Sequence, residues 1–156
     1  MRYSTNQRPR SAYLTDRTHD WDIKLVEFVK ARRSMPFEWG VNDCLTFANE
    51  AVKAQRGYGF GDEFLGGYST VKGALEAYSS WLEASGCSNI VEGLDKQLDR
   101  AVGLPPRGSV VAMPSDDDAV FPYSFGVMVS QYAAFVTKEG LIMVVPDDSF
   151  LAWRVS

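Results

Sequence analysis

From residue 21 onward, apolar side chains recur at helical spacing. Trp21, Leu25, Phe28 and Val29 fall on one stripe behind Asp20, a candidate N-cap, so a first helix is predicted to run to Arg33. Ser34-Met35-Pro36 ends it, because proline lacks the N–H that a helix interior needs, and Pro36-Phe37-Glu38-Trp39-Gly40 reads as an aromatic turn. Cys44, Phe47, Ala48, Ala51 and Val52 resume the helical period, predicting a second helix that starts at Asn42 or Asp43 and stops by Gly57. Tyr58 to Tyr68 holds too many glycines for a regular element and is read as an ordered loop. A third helix is expected from Ser69 or Thr70 to about Ala84, with Val71, Ala74, Leu75, Tyr78 and Leu82 facing inward and Gly86 as its C-cap. A short helical turn is expected around Leu94 to Leu98.

Beyond Pro105-Pro106 the period changes. Val110 to Met113, Phe125 to Val129, Ala133 to Val136 and Leu141 to Val145 are short apolar runs separated by turn residues, which predicts strands joined by hairpins. Leu151 to Val155 reads as a last, edge strand. Helices first and an antiparallel sheet second make an α+β fold in which N-terminal helices pack on a C-terminal sheet. No repeat or linker divides the chain, so residues 19–156 are expected to form one domain. With 46% apolar residues in a chain of 156, such a domain can bury a real core. No apolar run approaches the roughly 20 residues of a membrane-spanning helix, and no hydrophobic segment near Met1 resembles a secretion signal.

Charge is unevenly placed. The chain carries −4 overall, but residues 1–33 carry +4 and the remainder −8. Arg2, Arg8 and Arg10 precede any acid and lie among Asn, Gln, Ser and Pro, a composition that cannot bury itself. Residues 1–18 are therefore read as an extended basic arm, solvated or gripped by a neighbouring subunit. No glycine-rich phosphate loop, zinc spacing or basic aromatic stripe is present, so neither cofactor, metal nor nucleic acid is expected. Asp116-Asp117-Asp118 and Asp147-Asp148 lack the alternate spacing of hard-cation loops and read as solvated turns. Trp21, Trp39, Trp81 and Trp153 at helical or strand positions are read as core or interface residues rather than a glycan surface.

Candidate chemistry centres on Cys44. A thiol in the first turn of a helix faces unpaired N–H groups and the positive end of the macrodipole, both favouring the thiolate, although a buried structural role is the commoner fate of a single helical cysteine. Trp39-Gly40-x-Asn42-Asp43-Cys44, an aromatic-Trp-Gly turn leading into Asp-Cys at a helix start, resembles the nucleophile motif of the NlpC-type, papain-like cysteine peptidases. Gly66 to Ala74, Arg107 to Val111 and Ala152 to Val155 are similar to segments of divergent phage-tail relatives, in the same order. The resemblance implies a papain-like fold with Cys44 at the nucleophile position. It also implies a histidine two residues before Gly126, and there the chain has Ser124; Gly108-Ser109 likewise replaces the family's Gly-Asp. Only Thr137 is polar where a third, orienting group is implied.

A cysteine peptidase needs its base to take the thiol proton and later to protonate the leaving amine. Serine does neither, and Tyr123 is a poor substitute at a pKa near 10. The single histidine, His19, precedes the first helix and serves only if the arm folds over the site. Two readings follow. In one, the chain is a structural component of a phage tail tip or baseplate, made in the host cytoplasm and held by hub, distal-tail or tip proteins. In the other, it is a peptidoglycan endopeptidase using Cys44 with a base from His19 or a partner.

Overall fold

The computed structural model describes residues 16–116 and 121–156. Arg2, Arg8 and Arg10, and with them most of the expected arm, lie outside the described residues. Asp16 to Thr18, which the sequence assigns to the arm, are attached to the domain: Thr18 N–H donates to the Gln55 carbonyl at 3.0 Å, the Arg17 guanidinium lies 3.6 Å from the Trp21 ring centroid, and the Tyr58 hydroxyl donates to Asp16.

Four helices precede or flank six strands among the described residues. α1 spans Trp21–Arg32, α2 Cys44–Arg56, α3 Val71–Ser85 and α4 Ile90–Gln97. Their ends follow from local chemistry. Asp43, Thr70 and Asn89 each accept a backbone N–H from the first turn that they cap, while Gly57 and Gly86 end α2 and α3 at φ of 90° and 68°, open to glycine at little cost. Asp20 differs from its expected role: it precedes α1, but its carboxylate takes the Thr18 hydroxyl at 2.9 Å and caps no backbone N–H. The inner stripe of α3 is also rotated from the expected one. Ala74, Tyr78 and Trp81 are buried at i, i+4, i+7 spacing, whereas Val71 and Leu75 are 39% and 43% exposed.

The strands are β1 (Asp99–Arg100), β2 (Val110–Pro114), β3 (Tyr123–Met128), β4 (Ala133–Thr137), β5 (Gly140–Val144) and β6 (Leu151–Arg154). They form one antiparallel sheet in the order β1-β6-β2-β3-β4-β5. β6 is thus not an edge, as its sequence position suggests; it inserts between β2 and the two-residue β1. The chain reaches that slot by a long return from β5, a tertiary event that local patterning does not encode.

Alternation along the strands supplies both faces. Val110, Ala112, Phe125 and Trp153 join Leu45, Ala48, Val52, Trp81 and Leu94 beneath α2–α4. Leu25, Val29 and Phe47 seat α1 and α2 on Val127 and Ala134. The opposite face, with Val111, Met128, Ala133, Phe135 and Ala152, is covered by Phe150 and neighbouring residues. Burial on both faces is why these strands read as continuous apolar runs rather than strict alternation. Each fully buried leucine or valine here stabilises the fold by about 1.5–3 kcal/mol relative to exposure. Among the described residues no helix is long and apolar enough to cross a membrane, and no group of three or more His, Cys, Asp or Glu side chains gathers as a metal site.

Candidate thiol site

The turn before α2 is built by three residues. Asn42, fully buried, donates both to the Met35 and to the Pro36 carbonyl at 3.1 Å and accepts from Arg32 Nη1 at 2.8 Å, so it latches the end of α1 to the turn. Gly40 adopts φ 78°, and a Cβ there would stand 1.7 Å from the Tyr68 carbonyl oxygen. Only glycine allows the turn and the 58–68 loop to approach this closely. Trp39 rests edge-on against Phe37, with centroids 4.8 Å apart, and near Phe121.

Asp43 is fully buried and fully occupied. Its carboxylate accepts Gly40 N–H (2.8 Å), Thr46 N–H (3.0 Å) and Thr46 Oγ1 (2.8 Å), with the hydroxyls of Tyr68 (3.1 Å) and Tyr78 (3.4 Å) completing the shell. A buried carboxylate survives only with such a set of donors. Burial pushes both tyrosine hydroxyls up, and the Asp43 charge adds to it, so they remain protonated donors. Neither tyrosine is flagged as a site residue by the sequence; the signal is Gly-Gly-Tyr at 66–68 and an aromatic on the inner stripe of α3, which packing alone also explains.

Cys44 is the first residue of α2, which begins just after the expected Asn42 or Asp43 because Asp43 is its N-cap, and it is not poised as a thiolate. Loss of water around the sulfur, the largest cause, and the nearby Asp43 charge push the thiol up to about 11. The backbone N–H of Phe125 and those at the helix start pull the other way without compensating. This corrects the expectation that the macrodipole favours the anion: Asp43 already occupies the positive end of the helix.

Ser124 and Cys44 line one cavity, from β3 and from the start of α2. The β3–β4 ladder stops at Val127↔Ala134, one residue short of Gly126, whose missing Cβ would lie 2.3 Å from the Ala134 carbonyl oxygen and 2.8 Å from the Phe135 ring. Beyond that contact the strands separate, and the backbone carbonyl of Thr137 is taken by Phe37 N–H instead. The opening is a cavity of about 160 Å3 lined by Cys44, Ser115, Ser124, Phe121, Phe135 and Val136 among others. The structure therefore brings residues 44 and 124 together, but the third polar position is absent: Val136 faces the cavity, and Thr137 spends its hydroxyl on Gly140 and Glu139 in the β4–β5 turn.

His19 does not serve this site. The exposed His19 follows Thr18, which is bonded to Gln55 near the end of α2, and Cys44 begins that helix eleven residues away, about 16 Å along its axis. Ser109 is buried with its hydroxyl unpaired and lines neither cavity at Cys44.

Cys44 also lines a cleft of about 700 Å3 between α2, α3, α4 and the sheet, which shares Phe121, Tyr123 and Phe125 with the smaller cavity and is walled by Leu45, Leu75, Leu82, Ile90 and Leu151. At its far end Arg100 forms a bidentate pair with Asp95, both bonds at 3.0 Å, and Asp95 also accepts the buried Trp153 indole N–H at 2.7 Å. Arg100, the one cation among the described residues that line the cleft, is thus already neutralised.

A family model described as a domain of unknown function, DUF6950, matches residues 16–155. No curated protein and no solved structure matches the chain.

Proposed function

We propose that this chain, which belongs to the DUF6950 family, is a papain-like, NlpC-type module that has lost hydrolysis and acts as a structural component of a phage tail tip or baseplate. The observation that carries the reading is the pairing of Cys44 with Ser124 across one cavity, in a chain whose single histidine lies at the opposite end of α2. A protonated thiol beside a serine has nothing to accept its proton and nothing to protonate a leaving amine. The fold does not suffer, because Asp43, Gly40 and Asn42 serve the turn and the helix cap rather than catalysis.

The cleft supports the same reading. Peptidoglycan stem peptides carry carboxylates, and an apolar wall whose Arg100 is already paired with Asp95 offers them no free counter-charge. The phage-tail assignment rests on the resemblance of the Trp-Gly-x-x-Asp-Cys segment and the three segments that follow it in order.

The test is genetic and chemical. In the phage, Cys44→Ala is expected to yield particles of normal number, morphology and infectivity, while deletion of the chain stops tail assembly. Purified protein is expected to leave cell walls turbid and to react slowly with iodoacetamide at pH 6. Clearance of cell walls that Cys44→Ala abolishes would overturn the reading in favour of a peptidoglycan endopeptidase.

A further inference from the structure

We infer that β5 is the contact through which two copies of this chain associate, each β5 pairing antiparallel with its equivalent across a two-fold axis. The inference is independent of the reading of Cys44. β5 is one edge of the sheet and β1 the other, and the two edges differ in chemistry. β1 is the short, exposed, charged pair Asp99–Arg100, which is how proteins blunt an edge against further pairing. β5 has no such guard: Gly140 to Val145 is an uncharged apolar run in which Ile142, Met143 and Val145 are 45%, 49% and 65% exposed. Among the described residues no element pairs with its outer side.

The edge matches itself in hydrogen bonds, in side chains and in charge. The Leu141 N–H turns away from β4 to the Arg33 carbonyl at 2.9 Å, so by strand alternation Met143 and Val145 also turn their N–H and C=O groups outward. With Met143 opposite Met143 of the second copy, the two residues exchange both backbone bonds, and each Val145 N–H donates to the Leu141 carbonyl across the axis. Setting Leu141 opposite Met143 instead calls on the Leu141 N–H that Arg33 already holds, and so forms fewer bonds. In the favoured register Ile142 packs on Val144 of the second copy, and Val145 on Leu141. At the Gly140 end Arg33 and Lys138 outweigh Glu139, whereas Asp147 and Asp148 follow the other end. Antiparallel pairing lays each basic end on the acidic end of the other copy, and this complementarity is what singles out a second copy as the occupant.

The full chain is followed by sedimentation equilibrium across a concentration series, with amide hydrogen exchange read at the same concentrations. A strand pair of this length is small beside the roughly 1,200–2,000 Å2 of a stable interface, so the dimer is expected to form only as concentration rises. Exchange at the Met143 and Val145 N–H groups should slow with it, while the Leu141 N–H, already bonded, is protected throughout. Met143→Lys and Met143→Glu change a half-exposed side chain, and each sets like charges against one another on the two-fold axis. Either variant alone should associate at least about tenfold more weakly, and an equimolar mixture of the two should regain the dimer. A chain that stays monomeric at every concentration overturns the inference, whatever else covers β5. So does a dimer that neither charge disturbs, since its contact lies elsewhere, and so does a mixture of folded variants that fails to pair.

Discussion

The Tyr68 hydroxyl donates to Asp43 Oδ2 across 3.1 Å, joining the loop that follows α2 to the residue that starts it. The same hydroxyl lies 3.0 Å from Thr46 Oγ1, so the two hydroxyl protons are shared among these oxygens and Asp43 Oδ2. The Asp-Cys motif is therefore held from three directions: by its own turn through Gly40, by the first turn of α2 through Thr46, and by the loop through Tyr68. Asp43→Ala removes the cap and strands buried donors, and is expected to cost about 3 kcal/mol in urea unfolding, against about 1 kcal/mol for Tyr68→Phe. Equal costs for the two variants would contradict the network.

Glycine substitutions should separate close approach from backbone preference. Gly126→Ala places a methyl 2.3 Å from a backbone carbonyl oxygen, and Gly40→Ala meets one at 1.7 Å while also sitting at φ 78°. Both are expected to lower stability by more than about 4 kcal/mol or to prevent folding. Gly57, at φ 90° with nothing within 4 Å of an added Cβ, should lose only about 1 kcal/mol as alanine. Thermal melts of the three variants test this ranking.

Alkaline pH should loosen the site. Cys44 has a folded value of about 11 against an ordinary value of 9.0, so between these limits the unfolded chain has released a proton that the folded chain still holds. Stability is unaffected by this group below pH 9 and falls as pH rises toward 11, by at most about 1.4 kcal/mol per pH unit. Tyr78, also pushed up, steepens the loss. Cys44→Ala should flatten the slope between pH 9 and 11, as read from denaturation midpoints.

The Asp95–Arg100–Trp153 group should respond unequally to truncation. Trp153 is fully buried and its indole N–H donates to Asp95, so Asp95→Ala leaves a buried donor unpaired and is expected to cost about 1–3 kcal/mol. Arg100→Ala removes only one side of a partly exposed ion pair and is expected to cost about 1 kcal/mol or less. A larger loss from Arg100→Ala than from Asp95→Ala would reverse this assignment.

Much of the fold is legible in the chain because its signals are local. The helical period, the Asp43 and Thr70 caps and the Gly57 and Gly86 stops lie within a few residues of what they control. The apolar runs after Pro106 are strands for the same reason. β1 was not legible, since Asp99–Arg100 is too short and polar to show a pattern and pairs only because β6 lies beside it. The sequence pattern places Ala74 and Tyr78 inward correctly but also Leu75 and Leu82, which are apolar and periodic yet line a cleft instead of the core. At the candidate site, the sequence motif points to Cys44, Ser124 and Gly126 but not to Tyr68, Tyr78 or Ser115, which only the folded chain brings to Asp43 or Ser124.

The sequence by itself determined that a cysteine opens a helix and that the chain owns one imidazole, because composition and helix capping are local facts. Tertiary structure alone decided the state of that cysteine. Packing against β3 strips water from the sulfur, Asp43 takes the helix end that would have favoured an anion, and separation of β3 from β4 leaves a cavity between Cys44 and Ser124. Desolvation and the neighbouring charge outweigh the helix dipole there, and each depends on residues that meet only when the sheet has formed.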